Sequence, residues 1–202
     1  MLVKICGLTE AAEAGYLNEN GADFAGMVLF FPKSRRNITI EKSREIRQAL
    51  SPEIRTVAVM VSPDAEQVRK AEAAGFDYLQ IHGELFPEVL KESTVPVLKA
   101  FNVSDLQQWE KYCKNPRIAG YVLDAAEPGS GKVFDWNMAR QIPRDGKLLF
   151  LAGGLHAGNV AEAIRAVQPD GVDVSTGVEY PENGGKDPEK VRAFIRAAKA
   201  EN

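Results

Sequence analysis

Cysteine, histidine and tryptophan are scarce in this chain, with two of each in 202 residues. The cysteines, Cys6 and Cys113, stand far apart, which excludes a disulfide framework and a Cys-x-x-Cys metal site. Both thiols are expected free, and no metal site is expected. No apolar run approaches the ~20 residues needed to cross a bilayer, and the N-terminus shows no basic segment followed by an apolar one and a cleavage site. A cytoplasmic protein without a membrane partner is the expectation. A strong charge of one sign is missing too: the formal net charge is -3, with Lys and Arg spread among Asp and Glu. That leaves no basic stripe to neutralise a nucleic-acid backbone, so nucleic acid is not an expected partner. No linker or low-complexity segment interrupts the chain. What remains is 45% hydrophobic and 26% charged, enough to bury a full core, and residues 1–202 are expected to form one domain.

Short apolar runs recur along the chain: Leu2–Ile5, Phe24–Leu29, Thr56–Val61, Tyr78–Ile81, Val97–Ala100, Gly120–Leu123, Leu148–Leu151 and Val172–Val174. Between them lie segments with apolar residues at helical spacing, such as Glu41–Leu50, Asp64–Ala74, Val160–Val167 and Glu189–Ala198. A more polar helical stretch covers Gln107–Lys114. Ser62-Pro63-Asp64 and Asp187-Pro188-Glu189 mark helix starts, while Gly75 and Gly21-Ala22-Asp23 mark ends. Strand and helix in alternation imply a parallel sheet, either open and doubly wound or closed as a (β/α)8 TIM barrel. The barrel is favoured. An open nucleotide-binding sheet carries its glycine fingerprint after the first strand, where this chain has Cys6-Gly7-Leu8-Thr9. The glycine turns follow the seventh and eighth runs instead, where barrels hold phosphate. The longest irregular stretches, Phe30–Ile40, Ala125–Val133 and Glu179–Lys186, all follow strands, on the face where a barrel does its chemistry.

Cys6 ends the first run. With an ordinary thiol pKa near ~8.5, only about 3% would be thiolate at neutral pH without help. It is either a small buried hydrophobe or a proton-abstracting base. Asp124 ends the sixth run, so in a barrel the two tips face each other across the mouth. A base and an acid opposed across a pocket can take a proton from carbon and give one to oxygen; alone, Asp124 could equally cap a loop. Gly153 and Gly154 let backbone approach a ligand, ahead of a helix starting near Asn159, and Ser175, Thr176 and Gly177 add amide and hydroxyl donors. Two such turns in adjacent units favour phosphate. Arg36 has the fork geometry for a carboxylate, against a solvated loop charge. His82 is read as a satisfied strand-end group and His156 as a loop residue. Thiol and phosphate grip together suggest an enzyme acting on a sugar phosphate.

In order and spacing, Lys4-Ile5-Cys6-Gly7-Leu8-Thr9, Phe31-Pro32-Lys33-Ser34-Arg35-Arg36, Leu79-Gln80-Ile81-His82-Gly83, Gly129-Ser130-Gly131-Lys132-Val133-Phe134-Asp135-Trp136, Leu151-Ala152-Gly153-Gly154-Leu155 and Asp173-Val174-Ser175-Thr176-Gly177-Val178-Glu179 resemble the phosphoribosylanthranilate isomerases of tryptophan biosynthesis. The resemblance implies a TIM barrel that carries out an Amadori rearrangement of phosphoribosylanthranilate, a small-molecule substrate, with no cofactor. It implies Asp124 as general acid and Cys6 as base, with Arg36 on the anthranilate carboxylate. Gln80, His82, Gly153, Gly154, Ser175, Thr176 and Gly177 are the substrate-binding residues it implies, in a monomer or homodimer. Arg35 stands where many relatives have proline, and Thr176 where serine is common. The third strand, Val57-Ala58-Val59-Met60-Val61-Ser62, departs from a familiar Gly-Val-Phe-x-Asn pattern, which bears on the packing beneath the anthranilate ring. The alternative is a catalytically silent sugar-phosphate-binding barrel. An indole-glycerol-phosphate or thiamine-phosphate synthase would carry a lysine–carboxylate set or an aspartate pair at the strand ends.

Overall fold

A computed structural model describes residues 1–124, 136–142, 144–182 and 184–201. Eight strands run parallel: β1 (Leu2–Cys6), β2 (Phe24–Leu29), β3 (Arg55–Val61), β4 (Tyr78–His82), β5 (Val97–Asn102), β6 (Ile118–Asp124), β7 (Leu148–Leu151) and β8 (Gly171–Val174). Each pairs with its neighbours in chain order, and β1 pairs with both β2 and β8, which closes the sheet into a barrel. The expected (β/α)8 architecture is the one observed. Helices α1 (Glu13–Asn20), α2 (Ile40–Ala49), α3 (Ala65–Ala73), α4 (Pro87–Glu92), α5 (Val160–Val167) and α6 (Pro188–Lys199) cover the outside. None of the described helices is long and apolar enough to cross a membrane.

Burial on both faces explains why the strands read as nearly unbroken apolar runs. Outward residues such as Val3, Ile5, Met27, Ile81 and Val172 join the helices in the larger core. Inward residues fill the barrel, with Phe24, Val57, Leu98, Val122 and Phe150 in a smaller cluster. Phe24 packs edge-to-face with Phe150 at 5.2 Å and with Tyr78 at 5.5 Å, the geometry favoured by aromatic quadrupoles. The inner layer is therefore a packed floor, and the open end lies where the strands terminate.

The helix signals act as read. Asp64 caps α3 in a reciprocal box with Gln67, and Asp187 accepts from Glu189 N and Lys190 N ahead of Pro188. Gly21 closes α1 at φ 71. The stretch at Gln107–Lys114 differs: the β5–β6 crossover is a 3₁₀ helix over Val103–Lys111. Val103, Leu106, Trp109 and the capping Tyr112 recur every third position, Val103 buried and the other three packed on the core, matching three residues per turn rather than 3.6. A two-residue strand, Asn37–Ile38, pairs with β2 inside the irregular stretch Phe30–Ile40. The stretch Ala125–Val133 and the segment Gly129–Asp135 lie outside the described residues.

Candidate active site

A cavity of about 440 Å³ opens at the C-terminal ends of the strands, and every residue expected to bind or transform substrate lines it: Cys6, Arg36, Gln80, His82, Asp124, Gly153, Gly154, Ser175, Thr176 and Gly177. Cys6 is buried at the tip of β1, and half-buried Asp124 ends β6 on another wall of the same space. Among the described residues no group of three or more His, Cys, Asp or Glu side chains is arranged to hold a metal ion.

The register places charge beneath the thiol. On β1, Lys4 and Cys6 share the inward face; Lys4 lies opposite Asp173 of β8 and Cys6 opposite Gly26 of β2. Lys4 Nζ donates to Asp173 Oδ2 at 2.8 Å, and both side chains are buried. A Cβ at Gly26 would stand 2.9 Å from Cys6 Sγ and 3.0 Å from Lys4 Nζ. Thiol and ammonium therefore flank a position that only glycine leaves open. Burial pushes the Cys6 thiol up from its ordinary value and Asp173 adds to the rise, while Lys4 and Lys186 pull against it. Burial works against the Lys4 ammonium, but Asp173 and Cys6 outweigh it and keep the lysine charged.

Arg36 is set from the other side. Nε donates to Glu179 Oε1 at 2.6 Å, and Nη2 donates to Glu179 Oε2 at 3.0 Å and Thr176 Oγ1 at 2.8 Å. Its stem crosses Gly7, where φ is +80 and an added Cβ would meet Arg36 Cδ at 2.5 Å. Glu179 also accepts from fully buried Lys186 at 2.9 Å and pairs with Arg35. Burial alone would raise the Glu179 carboxyl, but hydrogen bonds from Arg36 and the charge of Lys186 bring it down to about 2. Glu13 completes the clamp, accepting from Lys186 N at 2.6 Å and Thr9 N at 2.6 Å. Together these contacts bind the loops after β1, β2 and β8 around the mouth.

The two glycine turns come together as well. Gly153 and Gly154 have φ of 81 and 66, and a Cβ on Gly177 would collide with the Leu155 carbonyl oxygen, so the turns touch backbone to backbone. After β8 the chain makes a 3₁₀ turn, Thr176–Val178. The α5 terminus is partly occupied: Asn159 N and Val160 N both donate to His156 O, and Asn159 Nδ2 donates to Gly154 O at 3.0 Å. Its side chain braces the turn and makes no cap bond to α5.

On β4, Gln80 Nε2 and His82 Nε2 share a hydrogen bond at 2.9 Å. Burial, with Lys4 and Lys99 nearby, pulls the His82 imidazole down to about 3, so it stays neutral. Gln80 Oε1 and Asp173 Oδ1 are buried acceptors without a hydrogen-bond partner among the described residues. Both residues line the cavity.

A family model described as N-(5'-phosphoribosyl)anthranilate (PRA) isomerase matches residues 3–197. The chain belongs to that isomerase family. It is 43% identical to the N-(5'-phosphoribosyl)anthranilate isomerase of Geotalea uraniireducens over 205 residues, covering 98% of each chain. The crystal structure of phosphoribosyl anthranilate isomerase from Thermotoga maritima superposes with a TM-score of 0.87 at 36% identity, covering 99% of each chain. A further isomerase structure, in complex with reduced 1-(o-carboxyphenylamino)-1-deoxyribulose 5-phosphate, aligns at 34% identity, TM-score 0.85 and 99% coverage of each chain.

Within this isomerase fold, the third-strand departures fall outside the cavity wall itself. Val59 and Val61 line the cavity, whereas Ala58 and Met60 point into the outer core. Ser62 sits at φ 45 and accepts from Glu84 N, so it shapes a loop. Lys4, Asp173, Glu179, Lys186 and Glu13 were missed as site residues. Lysine in an apolar strand was the available signal: a buried ammonium needs a partner. Lys99 gives the same signal on the outer face, where burial brings it down to about 8 and it donates to the Gly83 and Ala100 carbonyls beneath the loop after β4.

Proposed function

We infer that this chain converts N-(5'-phosphoribosyl)anthranilate to 1-(2-carboxyphenylamino)-1-deoxyribulose 5-phosphate by an Amadori rearrangement in tryptophan biosynthesis, with residues 1–202 acting as one domain. One observation carries the reading: a thiol and a carboxylate stand on different walls of a single cavity, between two glycine turns and a guanidinium. Asp124 gives a proton to the furanose ring oxygen as the C1'–O bond breaks, leaving a protonated Schiff base. The iminium draws electrons from C2', so a weak base suffices there. Cys6, as thiolate, takes the C2' proton; the C–H electrons form the C1'–C2' double bond of an enolamine, which tautomerises to the ketone.

The surroundings support these roles. The touching turns at Gly153-Gly154 and Ser175-Thr176-Gly177 lie after strands seven and eight, the phosphate end of a barrel. Arg36 spends Nε and Nη2 on Glu179 and Thr176, so its grip on the anthranilate carboxylate runs through Nη1. Gln80 Oε1 and Asp173 Oδ1 are suited to accept from sugar hydroxyls, and neutral His82 fixes Gln80. We place the enzyme in the cytoplasm, as a monomer or homodimer. Mixing the protein with freshly made phosphoribosylanthranilate tests the reading: substrate fluorescence should decay enzymatically, whereas a silent barrel would bind and leave it unchanged.

A further inference from the structure

We propose that Lys4, pinned by Asp173, is a positioning residue for catalysis: its ammonium is the counter-cation that stabilises the Cys6 thiolate, facing the cavity, when it forms. This rests on the reading of Cys6 as the base. The geometry is specific. Lys4 and Cys6 are two residues apart on the inward face of β1, and Sγ and Nζ flank the space that Gly26 on β2 leaves open. Asp173 on β8 accepts one ammonium hydrogen bond at 2.8 Å, which orients the remaining donors and keeps a fully buried lysine charged.

Other charges near the thiol are already engaged. Lys186, from the β8–α6 connection, and Arg36, from the β2–α2 connection, both bond Glu179. His82, neutral, and Asp124 line the cavity on β4 and β6. Asp173 faces the thiol with a negative charge, so Lys4, on the same face of β1, is the neighbour whose charge most favours ionisation. In the reaction Lys4 keeps its protons throughout. Cys6 gives its proton to solvent before the turnover and takes the one from C2' during it.

The test is the pH dependence of Cys6 alkylation by iodoacetamide in a Cys113→Ser background, beside the pH profile of kcat/KM. In Lys4→Met the alkylation midpoint should move up by a pH unit or more, lowering the rate at pH 7 about tenfold, and the rising limb of kcat/KM should move with it. Loss of a merely structural group would lower kcat without moving either midpoint. Lys4→Met leaves Asp173 buried without its cation, so Lys4→Met/Asp173→Asn serves where the single variant does not fold; its midpoint should also rise, by less. An alkylation midpoint unchanged from wild type in the folded variant overturns the proposal. A midpoint that moves while the activity limb stays put instead overturns the reading of Cys6 as base, and with it any part for Lys4 in turnover.

Discussion

Glu179→Gln tests the clamp around the mouth most sharply. The carboxylate accepts from Arg36 and Lys186 and pairs with Arg35, and it is held at about 2 against an ordinary value of 4.5. Such a depression amounts to about 3 kcal/mol of stability at pH 7. Removing the charge also leaves Lys186, fully buried, without its anion, and breaking a buried pair costs ~3–5 kcal/mol. The sign follows from the direction of the shift. A carboxyl whose folded pKa is depressed contributes stability above its unfolded value, and the contribution fades as pH falls from 4.5 toward 2. Urea melts of both proteins should therefore differ by about 3 kcal/mol at pH 7 and at pH 5, and by about 1.4 kcal/mol at pH 3. Glu179→Gln/Lys186→Met should recover part of the loss, because the uncompensated ammonium goes with the carboxylate. A difference below about 1 kcal/mol at pH 7, or one independent of pH, would refute the argument.

Arg36→Met should lower kcat/KM by about 1.5–3 kcal/mol, the value of a hydrogen bond to a charged group. The loss should appear mainly in KM; wild-type kinetics with the full substrate would mean that Arg36 serves Glu179 alone. Gly177→Ala forces a Cβ onto the Leu155 carbonyl and must part the two turns. A stability loss of roughly 1–3 kcal/mol is expected from overpacking, with KM up about tenfold or more. Unchanged KM in a folded variant would remove phosphate from these turns.

The barrel was legible because the strands repeat at even spacing, with apolar runs that only two-sided burial explains. Cys6 and Asp124 were legible from the ends of those runs, since the place where a strand stops in a barrel is also the place where the cavity begins. The 3₁₀ crossover at Val103–Lys111 was misread as a helix further along because charged residues between its apolar positions mask the period of three. The Lys4–Asp173 and Lys186–Glu179 pairs join residues 169 and 7 positions apart. Strand register brings the first pair together, and a local return of the chain brings the second; neither leaves a periodic trace. The clamp on Arg36 was hidden for the same reason: its partner lies 143 residues away. The third-strand departures could not be assigned to the cavity wall or the outer core because the strand's phase was unknown. One residue of register separates Val59, in the wall, from Met60, outside it.

The central claim is that Cys6 and Asp124 carry the two proton transfers, and kcat of Cys6→Ser and Asp124→Asn measures it directly. Serine keeps the size but is un-ionised at neutral pH, and asparagine keeps the shape but has no carboxyl proton to give. Each variant should lose about two to four orders of magnitude in kcat, the range for loss of a general acid or base, while product still binds through the intact turns. If both folded variants retain more than about a tenth of the wild-type kcat, a loss under ~1.4 kcal/mol, the two residues are structural and the assigned roles are wrong.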